Sequence, residues 1–165
     1  MFQIGAKNHE MRVRRYQCSD APALAKIFFT AVREIAKFYY TDEQITAWAP
    51  FLPSAERIRT RTGDGRITFV AVDEMNSAVA YGDIQPDGHI DHLFCLPSHS
   101  RKGVAAAIYQ ELERAARASG IGMLYVEASE PARRFFEKQG FVTRHRNDFA
   151  IDGIPIHNWS MTKDL

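Results

Sequence analysis

The sequence predicts a single α+β domain containing about seven strands. A length of 165 residues is typical of one domain and allows a substantial hydrophobic core. Segments with the apolar spacing of helices alternate with short runs rich in β-branched and aromatic residues. No internal repeat, linker or low-complexity segment divides the chain. Residues 1–10 show no periodicity, so we predict that residues 1–11 form an N-terminal extension before the domain.

The N-terminal part of the domain contains one short strand and three helices. A strand is predicted over 12–16, and Ser19 or Asp20 is suited to cap the helix that follows. The Thr41–Gln44 segment has the pattern of a capping box, which predicts a second short helix. Ser54 is placed to begin a third helix, which ends at Gly63. The first of these helices carries one apolar face, formed by Leu24, Ile27, Phe28, Ala31 and Ile35.

The remaining strands are separated by tight turns and one long helix. Residues 67–72 are apolar on both faces of the predicted strand, so we expect this strand to be central. Proline and glycine at 85–88 favour a tight turn. Asp152 and Gly153 are typical of a type I′ hairpin. The other predicted strands are 78–84, which returns antiparallel to the strand before it, and then 89–96, 123–128, 141–151 and 154–162.

Composition excludes several classes of function. The net charge of +1 argues against a general polyanion binder, so we expect no nucleic-acid partner. No apolar run approaches the length of a membrane span, and the N-terminus lacks a signal-peptide pattern. Cys18 and Cys95 lie in apolar surroundings and are predicted to be buried free thiols, which suit a reducing cytosol. We therefore predict a cytoplasmic protein with no membrane partner.

The segment that is most informative about function joins the fourth strand to the long helix. A β-prone run ends at Pro97, and a basic turn then leads to Gly103. Amides in the first turn of a helix lack an intrahelical acceptor, so they can bind an anion. Gly103 permits close approach of a ligand, and Arg101 and Lys102 add positive charge. This arrangement suits a pyrophosphate, although an ordinary strand–turn–helix unit with a basic turn fits the same residues.

The helix that begins after this turn is strongly amphipathic. Glu113 and Arg117 have the spacing of an i,i+4 ion pair away from its apolar face. That apolar face is a stripe with one residue at every fourth position, namely Val104, Ile108, Leu112 and Ala116.

Two common nucleotide-binding motifs are absent from the sequence. It contains neither the Gly-x-x-x-x-Gly-Lys-Ser/Thr of a triphosphate loop nor the Gly-x-Gly-x-x-Gly of a Rossmann site. The run Pro-Ser-His-Ser-Arg-Lys-Gly-Val-Ala over 97–105 instead resembles the acyl-CoA pyrophosphate loop of the GCN5-related N-acetyltransferases, the GNAT superfamily. The usual form of that loop is Gln/Arg-x-x-Gly-x-Gly/Ala. Gly103 and Ala105 match it, and Ser100 departs from it.

A second motif supports the resemblance. Residues 131–141, Pro-Ala-Arg-Arg-Phe-Phe-Glu-Lys-Gln-Gly-Phe, are similar to the closing helix of the family, which ends in a glycine and an aromatic residue. Phe135 and Phe136, together with the segment 40–48, resemble the YafP-like branch of the superfamily. The resemblance covers about residues 12–163 and identifies 12–165 as an N-acetyltransferase domain.

The resemblance implies a mostly antiparallel mixed sheet with helices on both faces, in which the fourth and fifth strands run parallel and splay apart. Acetyl-CoA would lie between them as a co-substrate, and no metal is implied. Its pantetheine would pair with the edge of the fourth strand at Phe94, Cys95 and Leu96. The pyrophosphate would contact the turn and helix start, namely Arg101, Lys102, Gly103, Val104 and Ala105. The closing helix would complete the cofactor site with Ser129, Phe135 and Phe136.

The implied reaction is direct attack of an amine on the acetyl thioester in a ternary complex. A backbone amide near Cys95 or Leu96 can stabilise the oxyanion. Asp91 and Glu127 are carboxylates within apolar strands, and desolvation would raise the pKa of such a group toward that of a useful base. Strand alternation could equally direct either carboxylate to solvent. His92 is a third candidate for the base.

The sequence differs from the family pattern at the position of the group that donates a proton to the leaving thiolate. Many members have a tyrosine at the position of Phe136, and a phenyl ring cannot donate a proton. Tyr81, Tyr125 or water could take this role, and the sequence does not distinguish them. Ser129 also replaces an asparagine that is common before the closing helix.

The acceptor is predicted to be a primary amine of a small molecule. Its pocket should lie between the first two helices and the fourth strand, where Phe38, Tyr39, Tyr40 and Trp48 either form an aromatic wall or fill the core. Acetylation of a protein lysine or N-terminus, and acyl-CoA sensing without turnover, are the alternative functions. The sequence leaves a homodimer open.

Overall fold

The computed structural model describes residues 11–165, so the predicted N-terminal extension lies outside the described residues except for Met11. Seven strands are present in this range: β1 (Arg12–Arg15), β2 (Ile67–Val72), β3 (Ala78–Ile84), β4 (Ile90–Cys95), β5 (Met123–Ala128), β6 (Val142–Ile151) and β7 (Ile154–Asp164). The five α-helices of the same range are α1 (Ala21–Glu34), α2 (Asp42–Trp48), α3 (Ala55–Thr62), α4 (Val104–Ala118) and α5 (Glu130–Lys138). None of these helices is long and apolar enough to cross a membrane.

The strands form two antiparallel groups that meet at one point. The first has the order β1-β2-β3-β4, and the second has the order β5-β7-β6. A single parallel bridge between His89 and Tyr125 joins them, and the Tyr125 amide donates to the Gly88 carbonyl at 3.1 Å. No further pairing joins β4 to β5 among the described residues, so the two strands begin together and then splay apart. The predicted mixed sheet with a parallel, splayed β4 and β5 is confirmed.

Helices cover both faces of the first group of strands. Val70 and Val72 of β2 pack with buried residues of α1, whereas Ala71 packs in the core beneath α4. This alternation follows from the period of two in a strand. Because β2 lies between β1 and β3, the prediction of a central strand is confirmed. The predicted apolar stripe of α4 is also buried along its whole length, at Val104, Ile108, Leu112 and Ala116.

Local signals in the sequence identified several helix and turn boundaries. Thr41 and Gln44 form a reciprocal capping box at the start of α2. The Ser54 hydroxyl accepts from the Arg57 amide at 3.1 Å at the start of α3. Asp152 and Gly153 have φ values of 49° and 79°, as a type I′ turn between β6 and β7 requires.

Two expectations about the N-terminal region are wrong. Cys18 is exposed, because it begins a short 3₁₀ turn on the surface before α1. Asp20 is the residue before α1, but its carboxylate does not cap that helix. It accepts instead from the Arg14 guanidinium at 2.8 and 2.9 Å and from the Gln17 amide at 2.8 Å. An arginine on a neighbouring strand has therefore replaced the helix amides as its partner.

Leu112→Ala tests whether the buried face of α4 holds the domain together. Leu112 is fully buried beneath the sheet, so we expect the free energy of unfolding to fall by about 2–5 kcal/mol in chemical denaturation. Arg114→Ala removes an exposed side chain of the same helix and should change that free energy by no more than about 0.5 kcal/mol. Equal effects of the two substitutions would contradict the packing described for α4.

Candidate active site

The splaying of β4 and β5 opens a cleft of about 540 Å³. One wall is the end of β4, at Leu93, Phe94 and Cys95. The opposite wall is formed along the length of α5, and the turn before α4 closes one end of the cleft. The cleft therefore lies where the resemblance placed the acyl-CoA.

The end of β4 presents free backbone groups to this cleft. The Leu96 amide donates to the Val79 carbonyl at 2.9 Å, so this pair is a hydrogen-bonded pair of the antiparallel ladder. The neighbouring pair, Ala80 and Cys95, is then a non-hydrogen-bonded pair. The amide of Cys95 consequently points away from β3, toward the space that β5 has left. Leu96 cannot be the oxyanion donor, because its amide is already bonded to Val79.

The turn before α4 has the geometry expected of an anion site. Gly103 precedes the helix with φ of 81°, in the left-handed region that favours glycine. A Cβ atom added at Gly103 would meet no atom within 4 Å. The first intrahelical bond runs from the Ala107 amide to the Gly103 carbonyl at 3.0 Å, and no side chain caps the helix. The amides of Val104, Ala105 and Ala106 are therefore available to a ligand.

The two basic residues of this turn differ in position. Arg101 lines the cleft, with φ of 60°. Lys102 is exposed and is not among the lining residues, so its contact with a bound pyrophosphate is not supported. Lys102 is close enough to favour the thiolate of Cys95, but burial dominates and raises the pKa of that thiol to about 11. Cys95 is thus a buried neutral thiol rather than a nucleophile.

The closing helix contributes an aromatic wall and one hydroxyl. Phe135 and Phe136 both line the cleft, and Phe136 is only 2% exposed. Ser129, which precedes α5, makes no capping hydrogen bond with its side chain. Lys138 and Gln139 line the cleft as well, and the sequence analysis missed them. They follow Phe135 by three and four residues, so helical spacing could have placed them on the same face.

A second cavity of about 360 Å³ adjoins the cleft. The two share Trp48, Phe94 and Ser129 as lining residues, and Asp91 and Glu127 both line the second cavity. Both carboxylates therefore lie at the site, and strand alternation directs neither of them away from it. The β6–β7 hairpin supplies the rest of the wall, which the sequence analysis did not predict: Phe149, Ile151, Ile156, His157 and Asn158.

Asp91 belongs to a cluster of ion pairs. Its Oδ2 lies 2.6 Å from Nη2 of Arg61 and 3.1 Å from Nη1 of Arg66. Burial pushes the pKa of Asp91 upward, as predicted, but the two guanidinium groups outweigh it, Arg61 above all, and hold that pKa at about 2. A carboxylate that is so strongly stabilised as an anion is a poor proton acceptor. The prediction of a raised pKa at Asp91 is wrong.

The same cluster fixes an irregularity in β4. Gly82 pairs with Leu93 and Ile84 pairs with Ile90, so Asp83 alone faces two residues of β4. The Asp83 carboxylate is almost fully buried, contacts Arg61 and Arg66 at 2.9 and 3.2 Å, and accepts from the His92 amide at 3.1 Å. This bulge redirects the side chains of β4 toward the second cavity.

Glu127 has a different environment. Its carboxylate is partly exposed and hydrogen-bonds Nε2 of His89. Nδ1 of His89 lies 2.7 Å from Oε1 of Gln85, so the imidazole is held from both sides. No arginine or lysine pairs with Glu127 among the described residues. Of the two carboxylates, Glu127 is the one that remains available as a base.

The other candidates for proton transfer are less suitable. His92 is stacked on Phe28 with ring centroids 5.5 Å apart, and burial, followed by the charge of Arg61, lowers its pKa to about 4. The hydroxyl of Tyr81 lies 2.9 Å from Nδ1 of His92. Burial raises the pKa of this tyrosine. The Tyr125 hydroxyl donates to Asp87 at 2.5 Å, and this bond raises its pKa to about 12. Neither tyrosine lines the cleft or the second cavity.

Of the aromatic residues that follow α1, some lie at the surface and others lie at the site. Phe38 and Tyr39 are 77% and 53% exposed, so they neither fill the core nor line the pocket. Trp48 lines both cavities. The Tyr40 hydroxyl accepts from the Glu130 amide at 2.8 Å and donates to the His157 carbonyl at 3.2 Å. Tyr40 thereby links β7, in the wall of the second cavity, to the start of α5.

Comparison with known proteins agrees with this architecture. Residues 37–163 match the acetyltransferase (GNAT) domain family. YafP of Escherichia coli, an uncharacterized N-acetyltransferase, is 32% identical over 154 residues, which cover 93% of this chain and 95% of that protein. A crystal structure of a GCN5-related N-acetyltransferase from Rhodopseudomonas palustris is 31% identical, with a TM-score of 0.86 over 98% of this chain and 100% of that one.

A more distant structure shares the fold. A phosphinothricin acetyltransferase from Sinorhizobium meliloti, in complex with acetyl-CoA, is 17% identical with a TM-score of 0.75, over 94% of this chain and 88% of that one. The family match and the identity to YafP both extend over most of the sequence. The chain therefore belongs to the GNAT family of acetyltransferases, and it is an N-acetyltransferase by family.

Proposed function

We propose that this protein transfers the acetyl group of acetyl-CoA to a primary amine of a small molecule, by direct attack in a ternary complex. The observation that carries the proposal is the meeting of two cavities at Trp48, Phe94 and Ser129. One cavity contains an uncapped helix start, and the other contains an available carboxylate. A thioester held in the first can reach an amine held in the second.

The cleft fits the parts of acetyl-CoA. The free amides at the start of α4 suit the pyrophosphate, and Arg101 adds a full positive charge beside them. The carbonyl of Cys95, which points away from β3 together with its amide, suits an amide N–H of the pantetheine arm. Phe135 and Phe136 supply apolar surface for the same arm. The Sinorhizobium meliloti protein, which shares this fold, is in complex with acetyl-CoA, and this supports the choice of ligand.

Backbone and side-chain groups have different roles in the proposed reaction. Acetyl-CoA supplies an activated acetyl group. The Cys95 amide donates to the negative charge that develops on the acetyl oxygen. Glu127 accepts a proton from the attacking amine, and His89 holds the carboxylate in place. Asp91 accepts no proton, because Arg61 and Arg66 hold it as an anion and offset its charge.

Ser129 is the group best placed to assist the departing thiolate. It lines both cavities, and its hydroxyl is not engaged as a helix cap. Phe136 occupies the position of the tyrosine that many members of the family have, and it offers no proton. We therefore assign Ser129, with solvent as the proton source, to the stabilisation of the thiolate.

The size of the second cavity favours a small acceptor. A volume of about 360 Å³, closed on one side by the β6–β7 hairpin, is in the range of small-molecule sites. Acetylation of a protein would need an open groove.

Release of the CoA thiol with three sets of acceptors tests the function directly. We expect acceleration with small primary amines and little with lysine-containing peptides or peptides with free N-termini. Preference for peptides would favour a protein acetyltransferase. Saturable binding of acetyl-CoA in calorimetry, without accelerated thiol release for any acceptor, would favour an acyl-CoA sensor.

Gly103→Leu should weaken the binding of acetyl-CoA at least tenfold in calorimetry. The added side chain would occupy the space in front of the helix amides. Gly120→Leu is a matched control, because Gly120 also has positive φ (74°) and open space around it, but it lies beyond the other end of α4. Both substitutions should cost similar stability. Unchanged affinity in Gly103→Leu would contradict the assignment of the loop.

Glu127→Gln should lower kcat/KM by roughly a hundred- to ten-thousandfold and abolish the limb of the pH profile that reports the base. Asp91→Asn should leave that limb at the same pH, because Asp91, with a pKa of about 2, is already ionised throughout the range of the assay. Acetyl-CoA affinity serves as the control for folding of both variants. A Glu127→Gln profile that retains the wild-type limb would exclude Glu127 as the base.

A further inference from the structure

We infer that the amine acceptor also carries an anionic group, of which a carboxylate is the simplest, and that this group binds Arg57 in a side chamber next to the acceptor cavity. The inference rests on the proposed function and specifies the class of its substrate.

The side chamber adjoins the acceptor cavity. It has a volume of about 410 Å³ and lies between α2, α3 and the segment that joins them. Trp48, His92 and Ile151 line both the chamber and the acceptor cavity. A molecule whose amine lies near Glu127 can therefore extend past Trp48 and His92 into the chamber.

The walls of the chamber suit a flat apolar group. Phe28, Trp48 and Phe51 line it, and Phe51 is largely exposed at its rim. The imidazole of His92 is stacked on Phe28 and, with a pKa lowered to about 4 by burial, is uncharged at neutral pH. Aromatic rings in such surroundings bind other planar groups by stacking or by edge-to-face contact.

The charge of the chamber is opposite to that of the acceptor cavity. Arg57 and Arg61 line the chamber, and no aspartate or glutamate is among its described lining residues. The acceptor cavity, in contrast, is lined by Glu127, which pairs with no arginine or lysine among the described residues, and by Asp91, whose charge is offset by Arg61 and Arg66. One end of the joined space therefore favours an ammonium group, and the other end favours an anion.

The two arginines are not equivalent. Nη2 of Arg61 already pairs with Asp83 and Asp91, at 2.9 and 2.6 Å, and its Nε is buried without an acceptor. The Arg57 guanidinium makes no ion pair or hydrogen bond with any residue of 11–165. Arg57 is thus an exposed cation at the chamber that has no ion-pair partner among the described residues, and an anionic substituent on the acceptor would supply one.

The experiment compares three amines that differ at one substituent: para-(aminomethyl)benzoate, para-(aminomethyl)benzamide and para-methylbenzylamine. We expect wild-type kcat/KM to be about ten- to a hundredfold higher for the benzoate, mainly through KM, because a charged hydrogen bond is formed only there. Arg57→Gln should raise KM for the benzoate and bring the ratio of benzoate to benzamide close to one. Arg59→Gln is the matched control, because Arg59 lies on the same helix, pairs with Glu56 and does not line the chamber.

The outcomes separate this inference from the proposed function. Equal kcat/KM for the benzoate and the benzamide in the wild-type protein would overturn the inference while the acetyltransferase activity stands. A preference for the benzoate that survives in Arg57→Gln would also overturn it. If no amine of this series or of the wider acceptor sets is acetylated although acetyl-CoA binds, the proposed function fails, and the inference fails with it.

Discussion

The separation of β4 from β5 is the constraint on which the rest of the molecule depends. The strands share one parallel bridge, at His89 and Tyr125, and no described residue pairs them after it. The backbone of β4 then has free hydrogen-bonding groups on one edge, which a ligand with amide groups can satisfy. Both cavities open at this gap. A fully paired sheet would be more regular, but it would leave no space in which a thioester and an amine could meet.

Two features of the fold position the candidate functional groups at this gap. The buried stripe of α4 fixes the helix against the sheet, so its first amides stay directed at the cleft. The cluster of Asp83, Asp91, Arg61 and Arg66 fixes the bulge of β4. The two arginines of this cluster also hold Asp91 as an anion, whereas Glu127 hydrogen-bonds His89 and pairs with no arginine or lysine among the described residues. The two carboxylates thus differ in their surroundings, because only Asp91 is paired with arginine.

Features that depend on neighbouring residues were predicted well. Thr41 and Gln44, Ser54, and the turn at Asp152 and Gly153 each act within a few residues, so their spacing specifies their structure. Predictions that required knowledge of a distant partner were less successful. Cys18 proved to be exposed, the Leu96 amide is bonded to Val79, and Phe38 and Tyr39 lie at the surface. The sequence shows that a side chain is apolar, but it does not show whether another part of the fold covers that side chain.

The sequence by itself determined the order of strands and helices, the glycine turn before α4 and the motifs that identify the family, because these are properties of contiguous residues. Tertiary structure decided the protonation of the site and the shape of the acceptor cavity. Asp91 pairs with Arg61, which is 30 residues away, and Tyr40 bonds to the Glu130 amide, which is 90 residues away. The pKa of a carboxylate depends on the charges that surround it in space, and the folding of the chain brings those charges together.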